Sequence, residues 1–268
     1  MPSVKVNNIE LYYEVHGEGD PMILISGLAG DSQSWQFAIN TFSNHFKTVI
    51  FDNRGVGRSD APAPPYTIEE MAGDVIGLMD FMHISSAHII GHSMGGYIAQ
   101  QIAIQYPERV NKLVLESTAP FSSARNIGLF RNFYESWRSG IDMELWLQQF
   151  FYWILSQKSI EDKKFFNSLI KYTLDYPYPQ PLKGFLGQIN AIEKFNVMDQ
   201  LNKIVAETLI VIGEEDILIK PKEAELLYQG ITHASYPNYM EKAGHTAHLE
   251  ASKAFVNSVL GFLYKYVR

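Results

Sequence analysis

Gly91-His92-Ser93-Met94-Gly95 constrains the fold more than any other stretch, because it sets a serine between two glycines where a strand gives way to a helix. Ala87-His88-Ile89-Ile90, just before it, is a short apolar run of the buried-strand type. After it, Ile98-Ala99, Ile102-Ala103 and Ile104 recur at helical spacing until Tyr106-Pro107 interrupts them. So tight a turn leaves no room for bulk two residues before or after the serine, and Gly91 and Gly95 fill those places. The turn raises the hydroxyl out of the sheet and aims the unpaired N–H groups of the helix N-terminus at the same spot. That combination makes a nucleophile with an anion site beside it. The same five residues also suit a glycine-rich turn with an incidental serine, so the rest of the chain must supply a base and an acid.

Apolar runs predict strands at Ile9–Val15, Met22–Ile25, Thr48–Phe51, His88–Ile90, Leu113–Leu115, Leu209–Ile212 and Ser235–Tyr239. Helical patterns cover Thr67–Met82, Met94–Tyr106, Lys222–Gln229 and Ala251–Tyr266. Short continuous apolar strands alternating with amphipathic helices predict an α/β protein, its mostly parallel sheet covered on both faces. The first two runs have no helix between them and predict an antiparallel hairpin. The alternation stops after Leu115: residues 121–196 read as helix after helix and hold 17 of the 35 aromatic residues. The expected organisation is therefore a core of residues 1–120 and 197–268 with a helical cap, 121–196, over the carboxyl ends of the strands. Replacing the cap with a short loop is expected to leave the core folded, with some acetyl-ester activity but without a chain-length preference.

The net charge of −7, without a basic stripe, argues against a nucleic-acid partner. The chain has no cysteine, which removes disulfides, thiolate nucleophiles and thiolate metal sites, and fits a reducing cytoplasm. No signal-like apolar stretch opens the sequence and none is long enough to span a membrane. Assembly into a homo-oligomer is left open.

A serine hydroxyl needs a base, and the base needs an orienting group. The loop after Leu209–Gly213 carries Glu214, Glu215 and Asp216, and the loop after Ser235–Tyr239 carries Gly244-His245-Thr246-Ala247-His248. Serine, acid and histidine in that order, each past the end of a successive strand, suit a hydrolase built on this sheet. Ser93 is read as nucleophile, His245 as base and Asp216 as acid. Glu214, Glu215, Asp199 and Glu116 are alternative acids, and His248 is the rival base. No His/Asp/Glu group has metal-ligand spacing along the chain, and no phosphate-cradling motif opens a helix, so no cofactor is expected.

Further motifs carry a resemblance. Ser26-Gly27-Leu28-Ala29-Gly30 with Trp35, Asp52-Asn53-Arg54-Gly55-Val56-Gly57-Arg58-Ser59-Asp60, and Gly244-His245 with Glu250 join the serine turn in sequence order. On these the chain resembles the α/β-hydrolase fold superfamily over nearly its whole length. Tyr66-Thr67-Ile68-Glu69, Gly95-Gly96 and Pro107-Glu108-Arg109-Val110 bring it nearest to 3-oxoadipate enol-lactone hydrolases and related small carboxylester hydrolases. It departs at Ser26, where many relatives carry histidine. The resemblance implies an oxyanion hole from the backbone N–H groups of Leu28 and Met94, and a small-molecule ester or lactone as substrate. It leaves open carbon–carbon bond hydrolysis and a ligand-receptor role on the same scaffold. Arg54, Gly55 and Gly57 are read as a structural turn, Arg54 pairing a local carboxylate. The aromatic cap implies an apolar acyl pocket, and Arg125, Arg131 and Arg138 are candidates to receive a substrate carboxylate.

Overall fold

The computed structural model describes residues 2–264, which form one eight-stranded sheet with helices on both faces. The strands are β1 (Ser3–Val6), β2 (Ile9–His16), β3 (Pro21–Ile25), β4 (Lys47–Phe51), β5 (Ala87–His92), β6 (Val110–Glu116), β7 (Glu207–Gly213) and β8 (Asn238–Met240). Their order across the sheet is β1-β2-β4-β3-β5-β6-β7-β8. The β1–β2 and β2–β4 pairings are antiparallel and the rest are parallel.

Every apolar run read as a strand becomes one, with ends that shift by up to three residues. The expected hairpin does not form. Instead β1, with only Val4 and Val6 apolar, pairs with β2 across Asn7 and Asn8, both at positive φ, and β2 pairs with β4. The reason lies in β3, whose two edges are taken by parallel β4 and β5, leaving none for β2.

The helices are α1 (Gln36–Phe42), α2 (Ile68–Phe81), α3 (Met94–Gln105), α4 (Ala124–Arg138), α5 (Met143–Ile154) and α6 (Gln157–Glu161). They continue with α7 (Lys163–Leu174), α8 (Leu182–Lys194), α9 (Pro221–Gly230), α10 (Ala247–Glu250) and α11 (Ser252–Leu263). The last helix was expected to reach Tyr266, which lies outside the described residues. Strand residues alternate between the two faces. Ile23, Ile25, Val49, Ile89 and Leu113 pack with Met71 of α2, Ile98 of α3 and Leu227 of α9. Met22, Leu24, Ile50, Ile90 and Val114 pack with Phe42 of α1 and Phe255 of α11. Burial on both faces explains why these strands read as unbroken apolar runs.

Helices α4–α8 run between β6 and β7, and a bridge between Phe121 and Asn196 closes the base of that segment. Its aromatic residues build a core of their own: Trp146 stacks on Phe150 at 5.2 Å and meets Phe185 edge-on at 5.6 Å. Among the described residues no helix is long and apolar enough to cross a membrane.

Candidate active site

Ser93 stands at the junction of β5 and α3 with φ 54° and ψ −117°, a conformation that costs a non-glycine residue about 1–3 kcal/mol. The surrounding backbone imposes it. A Cβ on Gly91 would lie 2.3 Å from the Gly95 carbonyl oxygen, and one on Gly95 would lie 2.1 Å from that of Ile25. Ser93 N–H donates to the Glu116 carbonyl at 2.9 Å, and its own carbonyl accepts from the Thr118 hydroxyl at 2.9 Å.

The structure brings Ser93, His245 and Asp216 together from three loops. His245 Nε2 lies 2.8 Å from Ser93 Oγ and its Nδ1 lies 2.9 Å from Asp216 Oδ2. Both bonds form when Nδ1–H donates to the carboxylate and Oγ–H donates to Nε2. The N–H groups of Leu218 and Ile219 donate to Asp216 Oδ1, each at 2.9 Å, so the acid cannot rotate away. Both the acid and the histidine are buried. The other candidate acids are elsewhere: Glu214 and Asp199 are exposed, and Glu215 accepts from the Gln157 N–H at 2.7 Å.

Glu116 holds the rival histidine. Its Oε1 accepts from His248 Nδ1 at 2.9 Å and from the His248 N–H at 2.8 Å, with both residues buried. His92 completes a cluster with them that linear spacing concealed, since adjacent parallel strands place residues 92 and 116 side by side. Its ring lies 4.6 Å from that of His248, and its Nε2–H donates to the His245 carbonyl at 2.9 Å. Burial, then the neighbouring His248 and His245, holds the His92 pKa well below the ordinary histidine value. Nε2 of His92 bonds the His245 carbonyl and Nδ1 of His248 bonds Glu116, so the cluster ties the ends of β5 and β6 to the histidine loop.

The Leu28 and Met94 N–H groups have no hydrogen-bond partner among the described residues. A Cβ on Gly27 would sit 3.0 Å from that of Ser93, so the Leu28 loop passes directly beside the serine. Ser93, His92, His245 and Leu28 open on a cavity of about 640 Å³. Its far walls come from the helical segment, including Phe130, Trp146, Phe150, Phe165 and Leu169. The three candidate arginines are not there. Arg125 donates to the Ile217 carbonyl, Arg131 pairs with Glu193 and Arg138 pairs with Glu135. Arg54, as expected of a structural turn, pairs with Asp74 of α2 at 2.6 Å.

Glu250 has a part that sequence left unspecified beyond the resemblance. Its carboxylate accepts from the Gly244 N–H at 2.9 Å, the Thr246 hydroxyl at 3.1 Å and the Ser156 N–H at 2.7 Å. The His245 N–H donates to the Ile154 carbonyl at 2.8 Å. The end of α5 and the loop after it are thus bonded directly to the histidine loop.

Known proteins share this architecture. The chain is 27% identical to the protein named as a carbamate hydrolase, RutD, of Azorhizobium caulinodans, with 98% of each chain covered. It is 26% identical to 3-oxoadipate enol-lactonase 2 of Acinetobacter baylyi, over 98% of this chain and 97% of that one. The crystal structure of the enol-lactonase from Burkholderia xenovorans superposes with a TM-score of 0.89 at 27% identity, covering 98% and 100% of the two chains. Residues 20–252 match the family model described as the alpha/beta hydrolase fold, and the chain belongs to that family of hydrolases.

Proposed function

We propose that this protein is a cofactor-independent serine hydrolase that cleaves a carboxylic ester or lactone through an acyl-enzyme on Ser93. The observation that carries the reading is the continuous chain Ser93 Oγ–His245 Nε2, His245 Nδ1–Asp216 at 2.8 and 2.9 Å, facing a largely apolar cavity. Ser93 Oγ attacks the carbonyl carbon and passes its proton to His245 Nε2, while Asp216 stabilises the imidazolium. The oxyanion forms beside the free N–H groups of Leu28 and Met94, at the positive end of α3. Collapse expels the alkoxide, which takes the proton back from His245. Water then attacks the acyl-enzyme, giving up a proton to the same nitrogen, and regenerates Ser93 as the acid leaves. In a lactone the expelled hydroxyl stays attached to the acyl group. The relatives named as enol-lactonases support ester and lactone chemistry.

The test uses p-nitrophenyl butyrate and a serine-directed phosphonate. Ser93→Ala is expected to lose about 10⁶-fold in kcat, the scale seen when a triad serine is removed. The phosphonate should label Ser93 alone. Labelling at another residue, or an active alanine variant, would end this reading.

A further inference from the structure

Charge is the feature of the cavity that its volume and aromatic walls leave undescribed. Among the described residues lining it there is no lysine or arginine, and the one carboxylate is Asp31. Arg58 comes within 3.9 Å of Asp31, yet it holds Asp52 at 2.8 Å and has Glu14 at 3.5 Å. One guanidinium thus serves three carboxylates, and none of its charge is left over for a ligand.

Asp31 follows the Leu28 loop on the way from β3 to α1, on the wall nearest the candidate oxyanion hole. Its Oδ1 accepts from the Gln33 N–H at 2.9 Å and its Oδ2 from the Tyr176 hydroxyl. Two of the side-chain amides that line the cavity are also taken. Gln33 Nε2 donates to Glu14 at 3.1 Å, and Gln180 Nε2 donates to the Gly55 carbonyl at 3.1 Å and to Gln188 at 2.9 Å. An anion bound on this wall, away from the N–H groups of Leu28 and Met94, would lose its water, find no lysine or arginine there, and meet a carboxylate.

We infer that the site accepts esters and lactones without an ionised carboxylate, and that Asp31 with the uncharged aromatic walls rejects those that carry one. The inference rests on the hydrolase reading of Ser93. It separates this chain from the substrate in its relatives' name, because an enol-lactone of 3-oxoadipate keeps one free carboxylate. A site built without a countercharge discriminates through the cost of leaving that group buried and unpaired.

Three methyl esters test it at pH 8: methyl hexanoate, monomethyl adipate and dimethyl adipate. The first two have the same acyl chain and differ only in a terminal methyl against a carboxylate. The third shows that length and polarity are tolerated when the charge is masked. Expected kcat/KM for monomethyl adipate is about 100-fold below that for methyl hexanoate, with dimethyl adipate close to the latter. A ratio above about 10-fold supports the inference, and one below about 10-fold overturns it while the hydrolase reading stands.

Two variants locate the cause. Asp31→Asn keeps the helix-capping acceptor and removes the charge, and Ser168→Arg adds a cation at an exposed, cavity-lining position of α7. Each should narrow the ratio by about 10-fold if charge sets it, and a ratio unmoved in both overturns the assignment to charge. No turnover of any ester also overturns the inference, and phosphonate labelling of Ser93 then tells whether the hydrolase reading falls with it.

Discussion

Asp216 and Glu116 are buried acids at the carboxyl ends of neighbouring strands, and each holds a histidine through Nδ1 at 2.9 Å. Only His245 also reaches Ser93. Asp216→Asn should therefore lower kcat by about 10⁴-fold, because the imidazole loses the carboxylate that sets its tautomer. Glu116→Gln should spare kcat and instead cost about 1–3 kcal/mol in urea unfolding, since an amide nitrogen would be buried without a partner. Glu116 Oε2 already lacks one. If Glu116→Gln proved inactive while Asp216→Asn turned over normally, the acid would belong to β6. The candidate triad was legible because each member follows an apolar strand, and chemistry leaves few residue types for the positions. The Glu116–His248–His92 cluster was not, since strand pairing and not sequence spacing assembles it. An ionisable residue closing the apolar run Leu113-Val114-Leu115 was the only sign.

Strand β5 carries two histidines whose protonation the fold disfavours, His88 near its start and His92 at its end. Burial depresses both, and His248 and His245 add to the effect at His92. The unfolded chain takes up these protons below the ordinary histidine pKa of about 6.5, whereas the folded chain resists them. Their contribution to stability is thus complete above about pH 6.5 and is lost as pH falls below it, at up to about 1.4 kcal/mol per unit for His92. Asp31 and Asp74 are shifted up, chiefly by burial, so they oppose the loss only at pH values nearer the carboxylate range. Urea unfolding at pH 7.5 and 5.5 should register the fall, and His92→Gln should shrink it. Equal stabilities at the two pH values would contradict a neutral His92. At this scale sequence patterns located the central strands β3–β7 well, because burial on both sheet faces leaves a continuous signal. The four-residue β1 and the pairing of β2 with β4 escaped, since both depend on which sheet edges remain open.

Helical segment and sheet are joined by hydrogen bonds that reach the candidate site, which bears on how much activity a chain without the segment would keep. The Ile154 carbonyl accepts from the His245 N–H, and Ser156 N–H shares the Glu250 carboxylate with Gly244. Gln188, fully buried, donates to the Arg54 carbonyl at 3.0 Å and accepts from the Ala29 N–H at 3.1 Å, beside the candidate oxyanion loop. A chain with residues 121–196 replaced by a short loop would keep its sheet, whose strands and pairings lie outside that range. It would also leave the His245 and Ala29 backbones without their partners. Acetyl-ester turnover should then fall by about 100-fold or more, the scale expected when a reacting group is misplaced by about 1 Å. Phe150→Ala makes the complementary change, widening the cavity while sparing every one of these bonds. It should retain acetyl turnover and alter the preference among longer acyl chains, where each buried methylene is worth at most about 0.8 kcal/mol. If the chain with the short loop kept full acetyl activity, the histidine loop would hold its own geometry, and the segment would act on substrate alone.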